Sequence, residues 1–325
     1  MILSGVLYFL LPAIQIVFYF TGQAALEVID AVNFICSIAA LHWILANVLI
    51  SAKVPWMQKH IPYDKRVRVH MIFSIGIIFF VLFHSTYKLI LGYEIDLVTI
   101  LLSLTLISLY LIAIMWVPIP GFSSFRAAIT KKIGLRKVSD YESYKLSHRI
   151  LLSVLGFLVI LHVMLAGLFY DLNPISLTLY IFFFILSYGL FFLSMTGFTN
   201  KKAKVLKIIK TEGILSLYLK TEKKLPYRSG QFTFLGFKTS QGRIEEHPFS
   251  FLSFDESGTG HPPGGTEEFP SDAVSFGIRI VGDFTEELSL LKEGDKVWLK
   301  GAFGNFHPQG DSPVCLIGSG IGLVP

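Results

Sequence analysis

The sequence predicts an all-α bundle of six membrane-spanning helices, followed by an antiparallel β-barrel and the truncated start of an α/β domain. Three observations predict it. Six stretches of about 20 mostly apolar residues fall within the first 200 positions, each long enough to cross a bilayer. Beyond residue 200 the apolar pattern changes to short alternating runs punctuated by turn residues. The final residues run from an apolar strand into a glycine-rich turn. The implied domains are 1–200, 201–312 and 313–325, the last of them incomplete.

Composition agrees. Hydrophobic residues make up 53% of the 325 and charged residues 16%, against about 25% charged in ordinary soluble domains. Mean hydropathy is +0.61. A disordered chain is excluded. With only Cys36 and Cys315, so are a disulfide scaffold and a cysteine-ligated zinc or iron–sulfur site. The net charge of +5 sits entirely in residues 1–200, where thirteen Lys/Arg face eight Asp/Glu; beyond 200 the two balance at fifteen each. Excess positive charge confined to the apolar half points to lipid as a partner and away from nucleic acid.

The six spans are expected near 1–20, 31–51, 69–91, 97–117, 149–170 and 175–198. The first lacks a positive flank and a cleavage site, and is read as a retained span, not a signal peptide. Sixteen Lys/Arg lie in the 2–3 loop, the 4–5 loop and the segment after span six; the opposite loops hold only Lys88. That asymmetry places both termini in the cytoplasm of a multi-pass protein of the cell membrane, with odd-numbered spans running outward. After residue 200 come KVLKIIK, ILSLYLKT, GQFTFLGF, HPFSFLSF, AVSFGIRIVG and KVWLKG, six candidate strands. Residues 255–272, rich in Gly, Pro and acids, read as an exposed hairpin loop.

Ionisable side chains inside a bilayer are costly, and each needs a reason. Span three carries His70 and His84, span five His148 and His162, each pair 14 residues apart. Fourteen steps of 100° return to within about 40° of the same helix face, about 21 Å along the axis. Because both spans run outward, His70 is level with His148 near the cytoplasm and His84 with His162 near the outer surface. A neutral imidazole is a good haem-iron ligand, and bundle cores hold such cofactors. Two levels of opposed histidines would grip two stacked haems, with Gly76 and Gly156 leaving room for the macrocycles. The competing reading is four hydrogen-bonded core residues; identical spacing on two parallel helices favours ligands. His42 has no partner at this spacing and reads as a satisfied core residue, and His60 as a solvated loop residue. Arg149 either neutralises a haem propionate or snorkels to the interface.

In the second half, His247-Pro248-Phe249-Ser250 offers an aromatic face for a flat ring and a hydroxyl for a ring nitrogen. Downstream, RIVGDFTEEL brings Arg279, a fixed positive charge suited to a pyrophosphate, and Asp283 with Glu286, spaced as a capping box. Asp283 and Thr285 also read simply as helix caps. At the end, Gly318, Gly320, Gly322 and Pro325 form G-x-G-x-G-x-x-P after an apolar strand.

Taken together these residues resemble the ferric reductase and NADPH oxidase superfamily over nearly the whole chain. The paired histidines are similar to its two-haem motif, HPFS to its HPF[ST] flavin motif, and RIVGDFTEEL to the flavin-phosphate segment of NADPH oxidases. Ser229-Gly230-Gln231-Phe232 is similar to PGQF with Ser for Pro, and Gly301-Ala302-Phe303-Gly304 to GP[FY]G with Ala for Pro. GSGIGLVP resembles the nicotinamide loop, with Val324 in place of the usual hydroxyl residue.

The resemblance implies a ferredoxin-reductase-like FAD barrel, NADPH as electron donor, and two b-type haems. His70 and His148 would ligate the inner iron, and His84 and His162 the outer. Phe249 would pack on the flavin, Ser250 would face its reactive nitrogen, and His247, Pro248, Arg279 and Thr285 would complete the FAD site. Gly318, Gly320, Gly322 and Pro325 would begin an NADPH site. The acceptor would be external: oxygen, giving superoxide, or a ferric chelate. Members of the superfamily continue with a full nicotinamide domain, so an end at Pro325 would call for a reductase partner; the unfinished sheet favours a fragment. Two further readings are a haem-carrying electron-transfer subunit and a transporter whose histidines relay protons.

Overall fold

The computed structural model describes residues 2–21, 27–116, 141–170, 173–228, 230–240, 242, 244–252 and 272–304. Six long helices come first: α1 (Ile2–Phe20), α2 (Val28–Ser51), α3 (Tyr63–Ile90), α4 (Leu97–Trp116), α5 (Tyr141–Tyr170) and α6 (Pro174–Met195). All six are long and apolar enough to cross a membrane. Helices α3 and α5 start upstream of the apolar runs expected from 69 and 149. Lys65, Arg66, Arg68 and Lys145 are good helix formers, so the helix continues through the charged turns before each apolar run.

The chain folds as two compact units. One comprises Ser4–Leu49 and Met71–Gly189. Between helices in lipid no hydrophobic drive operates, so association relies on close packing and interhelical hydrogen bonds. Both are present. Gln15 Nε2 donates to Ser176 O at 2.9 Å, Asn47 Nδ2 to Ser74 Oγ at 3.1 Å, and Tyr110 OH to Ser74 O at 2.7 Å. Large apolar side chains such as Ile75, Phe79, Leu104, Phe157 and Phe182 stay more than half exposed, an apolar surface far beyond what a soluble monomer tolerates.

The other unit combines Ile50–His70 with the chain from Leu190 onward. Among the described residues its six strands are β1 (Asn200–Thr211), β2 (Ile214–Thr221), β3 (Phe232–Lys238), β4 (Ile244–Ser250), β5 (Ala273–Arg279) and β6 (Lys296–Phe303). All ladders are antiparallel, in the order β4-β3-β6-β1-β2-β5. The β1–β2 hairpin turns on Glu212 and Gly213, both at positive φ (46° and 81°), as a two-residue turn matched to strand twist requires. Alternation then points Leu215, Leu217 and Leu219 into a core with Leu235, Phe251, Phe276 and Leu299, all fully buried. Each contributes roughly 1.5–3 kcal/mol by leaving water. One short helix, α7 (Asp283–Leu288), adds Phe284 and Leu288 to this core.

Among the described residues the expected barrel is not closed. The edge strands β4 and β5 share no ladder; just past β4, Leu252 makes one isolated bridge to Ser275 on β5. The sheet curls until its edges touch at one point. The stretch expected as a hairpin loop separates these edges, and all of it but Asp272 lies outside the described residues.

Candidate cofactor sites

The four histidines lie on two unbroken helices, His70 and His84 on α3, His148 and His162 on α5. His84 Nδ1 lies 3.1 Å from Asn33 Oδ1 on α2. An amide oxygen only accepts, so Nδ1 carries the proton and Nε2 presents its lone pair. His70 Nδ1 lies 3.3 Å from Ser51 Oγ, also on α2. His148 Nδ1 is buried with no hydrogen-bond partner among the described residues, and the Tyr144 ring is 6.0 Å from the His148 ring. An imidazole whose Nδ1–H is held by an outer acceptor is what a metal site uses; His84 has that arrangement and so fits an iron ligand, while His70 has a hydroxyl in that place.

The glycine notches differ from expectation. A Cβ on Gly76 would lie 2.4 Å from the Trp43 ring, and one on Gly156 2.3 Å from Tyr188. Both notches are therefore filled by aromatic side chains. Trp43 is held there by donating to Tyr8 O at 2.7 Å, and Tyr188 by donating to Leu152 O at 3.1 Å. Beside the turn that carries His162, a small apolar pocket is lined by Leu41, Leu45, Val159, Val163, Tyr180 and Phe184. His42 is a core residue: 3% exposed, its Nδ1 3.0 Å from Ile38 O and its ring stacked on Phe183. His60 is exposed.

In the sheet unit, HPFS closes β4. Strand alternation puts His247 and Phe249 on one face and Pro248 and Ser250 on the other. Phe284 of α7 meets the first face: its ring is 4.0 Å from His247 and stacked on Phe249 at 6.1 Å. Two motifs far apart in sequence are thus joined through Phe284. Pro248 is exposed and Ser250 half-buried. Arg279 is exposed at the end of β5. His247 Nε2 lies 3.9 Å from Glu245 Oε2, an acidic neighbour for a residue expected to hold phosphate.

The cap of α7 also departs from expectation. Gly282, not Asp283, is the N-cap. The Thr285 hydroxyl accepts from Val281 N (3.0 Å) and Gly282 N (3.1 Å) and donates to Gly282 O (2.9 Å). Its proton is committed to the backbone, so here Thr285 organises the turn. Thr285→Val should lower stability by about 1–2 kcal/mol through unsatisfied amides, while Asp283→Ala leaves it unchanged. Thermal unfolding of the solubilised chain checks both.

Residues 51–66 were legible only as a positive loop, yet they pack on the sheet. The Tyr63 ring meets Phe232, Phe234 and Phe303 at 5.5–5.9 Å. Lys53 Nζ sits 3.3 Å above Phe234 and 4.0 Å from Glu246. Gln58 and Gln231 both donate to Gly304 O, at 3.0 and 3.1 Å. The SGQF and GAFG segments therefore converge at one carbonyl. Ser229 and the glycine loop with Gly318, Gly320, Gly322 and Pro325 lie outside the described residues.

No family model matches the chain. It is similar to the probable dihydroorotate dehydrogenase B (NAD(+)), electron transfer subunit, of Pyrococcus furiosus, 46% identical over 65 residues, 19% of this chain and 26% of that protein. The counterpart from Pyrococcus abyssi is 31% identical over 104 residues, 32% of this chain and 33% of the relative. Among solved structures, a ferredoxin NADP+ reductase from Neisseria gonorrhoeae with bound FAD and NADP aligns at a TM-score of 0.27 and 17% identity, covering 33% of this chain and 39% of that one. The chain spans about a quarter to a third of the length of these curated relatives. At this breadth, what the comparisons show is similarity to electron-transfer oxidoreductases.

Proposed function

We propose that the chain is a transmembrane oxidoreductase that takes electrons from cytosolic NADPH, by way of FAD and two haems, to an external acceptor, reducing oxygen to superoxide. When bound, the flavin supplies the change from two-electron to one-electron chemistry and the haem irons supply one-electron carriage. The observation that carries this reading is His84 with its Nδ1 held by Asn33, on one of two helices that each carry a pair of histidines 14 residues apart.

In this reading His70 and His148 would hold one iron and His84 and His162 the other. With two protein ligands to each iron, the acceptor would be reduced without binding the metal. Phe249, backed by Phe284, gives the flavin ring a rigid apolar wall; Ser250 offers a hydroxyl from the opposite face of β4. Arg279, exposed at the strand end, supplies positive charge for the pyrophosphate. The exposed apolar faces of the helices are covered by lipid. Phe249→Ala should weaken FAD retention at least tenfold, measured by equilibrium dialysis of the full chain; unchanged affinity removes Phe249 from the site.

The names of the relatives favour a second reading, an electron-transfer subunit that depends on another chain. Adding NADPH anaerobically to the FAD-loaded protein separates the two. Haem reduction without a partner supports the self-sufficient enzyme; reduction by dithionite alone supports the subunit. Superoxide-dismutase-sensitive product formation, against ferrous-chelate formation, then distinguishes oxygen from ferric iron as acceptor.

A further inference from the structure

We infer that Asn33 is a positioning residue for His84, fixing the ring proton on Nδ1 and thereby setting the reduction potential of the haem held by His84 and His162. This rests on the haem reading above. Asn33 is fully buried on α2, and its Oδ1 lies 3.1 Å from His84 Nδ1. Were the amide turned round, its N–H would donate to Nδ1, the ring proton would sit on Nε2, and no lone pair would be left for iron. The oxygen-first orientation is the one that makes His84 a ligand.

Two further observations support a role beyond packing. Asn33 Nδ2 is buried with no hydrogen-bond partner among the described residues, a cost of about 1–3 kcal/mol that an apolar residue would avoid. One turn away, Tyr87 OH donates to Asp30 Oδ1 at 2.8 Å. Asp30 and Asn33 are three apart on α2, as are His84 and Tyr87 on α3. The two contacts form adjacent rungs that lock the register of the helices and hold the amide opposite the imidazole. His70 differs: its neighbour Ser51 carries a hydroxyl that either donates or accepts, so it does not dictate the tautomer.

An acceptor on Nδ1–H makes the imidazole a stronger electron donor and stabilises ferric iron. Anaerobic spectroelectrochemical titration of the full haem-loaded chain tests this. In Asn33→Leu one of the two haem steps should move to higher potential by about tenfold in the reduction equilibrium, about 59 mV for one electron, with the other step unmoved. In Asn33→Asp, nearly isosteric and a stronger acceptor, the same step should move to lower potential. Tyr87→Phe, which breaks only the neighbouring rung, should move neither. Shifts of opposite sign at one haem support the inference, because loss of packing alone moves both variants the same way. Two haems whose potentials ignore Asn33, or respond alike to both variants, overturn it. A wild-type chain without haem overturns the haem reading itself, and the inference with it.

Discussion

His84→Ala should halve the haem content of the purified chain, from two haems to one, while the remaining haem stays low-spin and reducible by dithionite. His84 lies 14 residues from His70 on α3, which is about four turns and 21 Å, so the two histidines cannot serve one iron. In the proposed pairing by level His84 and His162 would hold the same iron, so removing one imidazole would leave that iron a single ligand. His162→Ala should give the same spectrum, since it removes the opposite ligand of the same iron. Pyridine haemochrome analysis against protein concentration reads the stoichiometry. Loss of both haems from a folded variant would contradict the pairing by level.

Phe303→Ala carries the largest expected effect on stability, about 3–5 kcal/mol. Phe303 is fully buried. Its ring meets Tyr63 at 5.6 Å, Phe234 at 5.7 Å and Phe232 at 6.0 Å, and the Arg66 guanidinium lies 5.6 Å away. Truncation therefore removes the centre of the cluster that packs residues 51–66 on the sheet. Hydrogen exchange of the amides in 54–66 should quicken along with the loss of global stability. A change below about 1 kcal/mol would show that the loop is held chiefly by Gln58 and Lys53 at its edge.

Features that depend on a repeating pattern were legible in the sequence. Apolar length located the six helices, period-two alternation located the six strands, and the shared 14-residue spacing singled out the four histidines. Features that depend on a single distant contact were not. Asn33 is an unremarked polar residue until α2 sets it against His84, and nothing in its neighbours' identity announces that. Phe284 reads as an ordinary apolar position until α7 folds back on β4. Asp283 and Glu286 matched a cap spacing, but the chain enters α7 through extended Gly282, and Thr285 lies close enough to cap it instead. Gly76 and Gly156 read as room for macrocycles, but their notches hold the rings of Trp43 and Tyr188, an outcome set by the packing of α2 and α6.

The central claim is that paired histidines on α3 and α5 bind two haems, and the most direct measurement is the reduced-minus-oxidised absorbance spectrum of the purified full chain after growth with ample iron and haem precursor. The account predicts sharp low-spin bands of iron with two imidazole ligands, at two haems per chain. A folded, colourless protein would contradict it.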